Sequence, residues 1–368
     1  MRLRKFLKGV DPILLLTLLL IQLIGLIGVF SATYKGGISP LFVKQVLYML
    51  FGWLVLFALS LRNFRSIYDL ATVIYMLNLF FLVLVPLFGK TVYGAKRWLD
   101  LGPLSLQPSE FMKFSLLLFA TYVLGHIKRS VSKESFILIL AFAMPALLTL
   151  KQPDLGTAIS YGIILMALLF FKGVRLRFFF IIGATFGVLS PLLWHFLKDY
   201  QKERILAVID PYADYSGSGY QLIQSIIAVG SGGVSGKGFL RGTQAHLLFL
   251  PEKHTDFIFS VIAEEWGFLL SAFLVSLYFL FIYRLTLYGV RLYDGTQRLF
   301  LGGAVSLFLF QVFVNLMMTM GLMPVVGIPL PFVSFGGSSI LTFSLMLGVC
   351  FSIVREYRLK DIHFEEKI

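Results

Sequence analysis

The run Pro251-Glu252-Lys253-His254-Thr255-Asp256 leads straight into an apolar stretch, and Glu264 and Glu265 follow inside it. An aspartate at such a boundary has two readings. It can cap the first turn of a helix, or it can act as a general base for a hydroxyl held within about 3 Å. In the second reading the lysines and arginines nearby would bind an anionic group. Glu110 and Lys113 form another candidate pair, spaced to share one helix face. Charges at membrane depth are costly and face a cavity, a partner charge or a ligand. The pair is therefore either a structural ion pair or part of a substrate cavity. Further cations stand in polar patches: Arg97 within Gly94-Ala95-Lys96-Arg97-Trp98, and Lys237 and Arg241 in a glycine-rich stretch. Two more patches, Gln152-Pro153-Asp154-Leu155-Gly156-Thr157 and the proline- and glycine-rich run 329–339, carry polar groups without an obvious motif.

Several tempting motifs fail. Gly236-Lys237-Gly238 lacks the Ser or Thr that a phosphate-binding loop needs after its lysine, and Ser231 stands where its first glycine belongs. His246, His254 and Asp256 match no common zinc spacing. The single cysteine, Cys350, excludes an intrachain disulfide framework and a cysteine-rich metal site. Glycine pairs at 232–233 and 336–337 suit tight turns or close backbone approach.

The elements that must position these residues are apolar helices. The chain has 368 residues, 58% hydrophobic and only 14% charged, with mean hydropathy +0.86; a soluble domain has about 25% charged residues. A spanning helix needs about 20 largely apolar residues. Ten runs qualify, near 12–31, 43–61, 69–88, 109–126, 135–151, 155–171, 176–194, 258–283, 299–323 and 333–354. The expected fold is an all-α polytopic membrane protein, one integral membrane domain over 1–368, with a large extracytoplasmic loop, 195–257, between the seventh and eighth spans. The first apolar run lacks a small-residue cleavage site and reads as an uncleaved span.

Charge supports the orientation. Arg2, Arg4, Lys5 and Lys8 place the amino terminus in the cytoplasm. The same orientation puts Arg62, Arg65, Lys128, Arg129, Lys133, Lys172, Arg175, Arg177, Arg284, Arg291, Arg298 and the basic carboxyl tail inside. Nineteen of the 32 Lys and Arg then serve topology, and 13 lie elsewhere, so the net charge of +13 needs no nucleic acid. Residues 220–229 read as a short interfacial or re-entrant helix within the long loop, and Phe178-Phe179-Phe180 as a lipid or packing face. Pro324, Pro329 and Pro331 break helicity before the last span, which is tolerated where backbone lines a cavity. These features alone fit an enzyme and a lipid transporter equally well.

The same patches carry a resemblance. GAKRWLDLG at 94–102, QPSEFMK at 107–113, QPDLGTA at 152–158, GYQLIQSIIAVGSGG at 219–233, GTQAHLLFLPEKHTDFIF at 242–259 and NLMMTMGLMPVVGIPLPFVSFGGSS at 315–339 resemble the shape, elongation, division and sporulation family of polytopic peptidoglycan glycosyltransferases. The short tails are more similar to the elongation member than to the division member. Two departures stand out: Asp214-Tyr215 where members often have Asp-Pro, and Trp266 where a smaller apolar residue is common.

The resemblance implies polymerisation of lipid II into glycan strands at the outer face of the bacterial cytoplasmic membrane, with release of undecaprenyl pyrophosphate. It implies that Asp256 is the essential acid, and that Arg97, Glu110, Lys113, Lys237, Arg241 and Lys253 bind substrate. It implies a class B penicillin-binding protein transpeptidase as partner. No tightly bound cofactor is expected, although a divalent cation, Mg or Mn, could help neutralise pyrophosphate. The alternatives carried forward are a flippase for the lipid-linked precursor and a non-catalytic scaffold for a transpeptidase.

Overall fold

The computed structural model describes residues 9–92, 95–102, 104–127, 133–213, 217–247 and 249–365. Outside them lie Arg2, Arg4, Lys5, Lys8, Gly94, Lys128, Arg129, Lys367 and the Asp214-Tyr215 departure. Ten long helices follow the ten apolar runs: α1 (Pro12–Thr33), α2 (Pro40–Ser60), α3 (Ala71–Phe88), α4 (Pro108–His126), α5 (Lys133–Lys151), α6 (Leu155–Phe171), α7 (Leu176–Phe196), α8 (Ile258–Arg291), α9 (Gly295–Thr319) and α10 (Gly337–Glu365). Seven of these, α1 to α3 and α7 to α10, are long and apolar enough to cross a membrane.

Local chemistry starts the helices where they start. Asp11 accepts from Ile13 N at 2.9 Å with Pro12 at the first helical position, and Ser39 accepts from Leu41 N ahead of Pro40. Asp154 and Asp294 cap α6 and α9 in the same way. The Asp294 cap and the turn at Gly321 shift α9 to 295–319 from the expected 299–323. The prolines delay α10 to residue 337, and it then runs well past the expected end at 354.

Apolar side chains face outward as well as inward. Leu50, Leu54, Val73, Phe80 and Phe180 are all more than half exposed, as helices bathed in lipid require. None of α7 is buried, so its Phe run is an outer face. The core gathers around α4, where Met112 and Leu116 to Leu118 are fully enclosed.

Two elements differ from the sequence reading. Within the expected all-α fold, the connection 89–108 folds as a three-stranded antiparallel sheet, β1 (Lys90–Val92), β2 (Ala95–Leu101) and β3 (Leu104–Leu106), in the order β1-β2-β3. Lys90 pairs with Trp98 and Leu99 with Leu106. Alternation on β2 buries Leu99 and leaves Lys96 and Asp100 outside.

The second difference is in α8. The expected continuous span 258–283 is broken at Gly267, where φ is 70° and ψ is −163°. The chain 232–238 fills the gap. Its Lys237 and Gly238 amides donate to the carbonyls of Glu264 (3.0 Å) and Glu265 (2.9 Å), ending the first segment. Its Gly233 and Val234 carbonyls accept from Phe268 (2.9 Å) and Leu269 (3.2 Å), starting the second. Two carbonyls and two amides that the break frees are thereby answered. A Cβ on Gly236 would come within 2.1 Å of the Glu265 carbonyl oxygen, so only glycine fits.

The helix expected near 220–229 spans Ser218–Ser231. Its Ser225 hydroxyl lies 2.7 Å from both Ser260 Oγ and the Thr319 carbonyl, which ties it to α8 and α9.

Candidate active site

The segment 254–256 is held by three successive carbonyls. Phe335 N donates to His254 O at 2.8 Å, Ser334 Oγ to Thr255 O at 2.6 Å, and Asn315 Nδ2 to Asp256 O at 2.9 Å. The second Asn315 hydrogen reaches Ile328 O at 2.8 Å. Ser334 Oγ also accepts from Leu330 N, and Gln45 of α2 donates to the Ser334 carbonyl at 3.0 Å. Segment 327–336 is thus a wall built on α2 and α9, with the acidic segment fastened to it. Proline content explains why this wall is not helical and has carbonyls to offer. Glu252 and Phe332 on either side take left-handed backbone, with φ of 48° and 63°; strained conformations of this kind gather at functional sites.

Asp256 itself does not cap α8. Phe257 occupies the cap position and no side chain caps the helix. Among the described residues the Asp256 carboxylate has no hydrogen-bond partner, and Gly327 approaches it, with a Cβ there falling 3.6 Å from Oδ2. Burial pushes its pKa up to about 7; the carboxylates of Glu252 and Asp154 push the same way, and Arg204 and Arg97 pull against them. The Asp256 side chain keeps part of its surface exposed.

The candidate residues fall into three groups. Arg97 shares the field around Asp256. It also donates from Nε to the Gln152 carbonyl at 2.9 Å and from its terminal nitrogen to the Pro153 carbonyl, so β2 is fastened to the turn before α6. Glu110 and Lys113 form an ion pair of 2.6 Å, with side chains 6% and 1% exposed. One Glu110 oxygen is buried with no partner, and Lys113 Nζ lies 5.9 Å from the centre of the Phe343 ring. Gln107 links this pair to the first group: its carbonyl accepts from Glu110 N at 3.0 Å, and its side chain donates to Asp154 Oδ2 at 3.1 Å.

The third group is engaged in holding the long connection. Lys237 Nζ is 2.7 Å from the buried Glu264 carboxylate and 2.9 Å from Thr243 Oγ1. Glu264 also accepts the amides of Thr243 (2.8 Å) and Gln244 (3.0 Å). Lys253 donates to the Ala245 carbonyl, and burial lowers its pKa, with Lys35 adding to the effect. Arg241 packs its side chain beside Gly238. Glu265 receives Ser31 of α1 and lies 3.1 Å from His246 Nε2. Trp266 stacks at a tilt against Phe239, 5.9 Å between rings.

Sequence reasoning missed Arg204, Asn315 and Ser334 as parts of this site. Arg204 was visible only as one cation of many in the loop. Asn315 and Ser334 lay in the quoted motifs but carried no charge to single them out.

Comparison with known proteins agrees with this architecture. The model of the FtsW, RodA and SpoVE cell cycle protein family matches residues 11–359, and the chain belongs to that family. It is 37% identical over 345 residues to the peptidoglycan glycosyltransferase MrdB of Escherichia coli K12, covering 93% of each chain. It is 31% identical to the peptidoglycan glycosyltransferase RodA of Treponema pallidum, covering 93% of this chain and 97% of that one. Among solved structures it resembles a chain of a peptidoglycan synthase complex that coordinates polymerisation and crosslinking, with TM-score 0.81, 34% identity and coverage of 95% and 98%. The rod shape determining protein RodA of Thermus thermophilus gives TM-score 0.70 at 29% identity, covering 94% and 97%. Family membership and the apolar helices together make the chain a multi-pass membrane protein.

Proposed function

We propose that the chain is a peptidoglycan glycosyltransferase that polymerises lipid II during cell elongation, with Asp256 as its general base. The observation that carries this reading is a carboxylate with no hydrogen-bond partner among the described residues, with its pKa raised to about 7 and its backbone fastened at three carbonyls. A base near the working pH combines enough deprotonated form with enough driving force for proton transfer.

The growing glycan is the donor, its anomeric carbon bonded to a lipid pyrophosphate. The 4-hydroxyl of the incoming lipid-linked unit is the acceptor. Asp256 takes the hydroxyl proton as the oxygen–carbon bond forms and the bond to pyrophosphate breaks. Undecaprenyl pyrophosphate leaves with the bonding pair. A single displacement inverts the anomeric centre without an enzyme-bound sugar. Arg97 and Arg204, whose charges act on Asp256, would stabilise charge on the leaving group, where preorganised electrostatics contributes most. Lys237, Arg241 and Lys253 shape the long connection around the substrate, and the buried Glu110–Lys113 pair completes the set.

Among the described residues no group of three His, Cys, Asp or Glu side chains could hold a metal ion. A divalent cation would be carried by the oxygens of the diphosphate itself. The site faces outward from the bacterial cytoplasmic membrane with both termini inside, and the partner is a class B penicillin-binding protein transpeptidase.

Polymerisation of purified lipid II in detergent tests the reading. Wild type should make polymer without any membrane gradient, with the transpeptidase supplied as a control. Asp256→Ala should fall below about 1% of that rate, within the range set by losing a general base, and still elute as a folded protein. Full activity in that variant would remove Asp256 from the chemistry. Transport without polymer would favour the flippase instead.

A further inference from the structure

We propose that Asn315 of α9 is a positioning residue for Asp256: its amide clips the acidic segment to the wall that faces the carboxylate. The inference rests on the reading of Asp256 as the base.

Both hydrogen-bond partners of Asn315 Nδ2 are carbonyl oxygens, Asp256 O at 2.9 Å and Ile328 O at 2.8 Å. Only a group with two hydrogens can answer both, which fixes which end of the amide is nitrogen. The amide oxygen is left buried without a partner, and the residue is fully enclosed. A side chain whose part was only to satisfy itself would not leave that acceptor orphaned.

The two carbonyls belong to different sides of the site. One is Asp256 itself. The other is next to Gly327, whose backbone approaches Asp256 Oδ2. One amide therefore sets the spacing between the carboxylate and its wall. It acts on the main chain and leaves both carboxylate oxygens for substrate. Ser334 and the Phe335 amide hold the two preceding residues, but among the described residues only Asn315 donates to Asp256.

A reacting group misplaced by roughly 1 Å loses about 100-fold in rate. Asn315→Leu keeps the size of the side chain and removes both donors. It is expected to lower kcat for lipid II polymerisation by about 30- to 100-fold, with KM changed by less than about threefold. It should also move the acid limb of the kcat profile downward by ~0.5 pH unit or more, because an unfastened carboxylate relaxes toward water. Asn315→Thr, which is smaller and still polar, guards against misfolding of the leucine variant and should shift rate and limb in the same direction. Each variant is assayed with the transpeptidase present and after size exclusion.

Wild-type kcat in either folded variant would overturn the proposal. So would a loss of kcat with the acid limb unmoved, since a lower fraction of active protein scales the profile without shifting it. Asp256→Asn, measured alongside, separates the two readings. If it stays active, the assignment of the base fails whatever Asn315 does. If it is inactive and Asn315→Leu behaves as wild type, only the positioning role fails.

Discussion

Asp256 is poised because its neighbours disagree about it. Burial and two carboxylates favour the protonated form; two arginines favour the ionised one, and the balance settles at about 7. Polymerisation should therefore fall on the acid side with a midpoint near 7, to roughly one tenth at one unit lower, as the base becomes protonated. An initial-rate profile with saturating lipid II checks this, and a flat profile from 5 to 8 would contradict it. The same shift has a consequence for stability. A carboxylate whose pKa is raised on folding contributes fully below its unfolded value of 3.8, and the contribution is lost as pH rises toward about 7. Asp256→Asn should accordingly raise the thermal midpoint in detergent, by an amount that grows between pH 4 and 7 and then levels off. At this scale the sequence was informative about which residues are unusual, because a charge beside an apolar run is rare enough to notice. It was silent about partners. Nothing in the spacing of Lys237 indicated that Glu264, 27 positions away, would occupy its ammonium group. Nothing marked Arg204 out from the other loop cations.

At the scale of elements, the glycine-rich stretch 230–238 is a splint for a broken helix. Its amides and carbonyls meet both halves of α8 around Gly267, and the Glu264 side chain just before the break holds the same stretch through Lys237, while Glu265 reaches His246 and Ser31 instead. The break lets α8 carry two buried carboxylates on a short segment without forcing one straight 34-residue rod through the site. Gly236→Ala should be destabilising by about 1–3 kcal/mol, since the backbone there has positive φ and the added Cβ would collide with Glu265 O. The thermal midpoint in detergent measures it, and an unchanged midpoint would mean that the splint has room to give. Sequence alone indicated tight turns or close approach for these glycines, but a glycine does not say which backbone it must admit. The sheet over 90–106 escaped notice for a different reason. Its strands are short, and Lys96 and Arg97 on β2 drew attention to charge rather than to the alternation that buries Leu99.

For the whole molecule, apolar length and the placement of Lys and Arg predict an orientation that can be tested with the protein's own chemistry. Ten helices stand where ten apolar runs were read, because a run of about 20 apolar residues has few alternatives to a helix in lipid. If basic residues serve topology, the helix Asp199–Ile209 lies outside and the α8–α9 turn lies in the cytoplasm. Cys350 is fully buried and is the only cysteine, so the wild-type chain should not react with a membrane-impermeant maleimide. That silence makes single added cysteines readable. Ile209, 79% exposed, and Tyr293, 96% exposed, sit on opposite sides of the expected membrane. Ile209→Cys should label in intact spheroplasts, and Tyr293→Cys only after permeabilisation. The reverse pattern would turn the molecule over and put Asp256 in the cytoplasm, where it could not build a wall outside the cell. Labelling of both in intact spheroplasts would instead remove at least one crossing between them, and α8, broken at Gly267, is the span on which that result would bear.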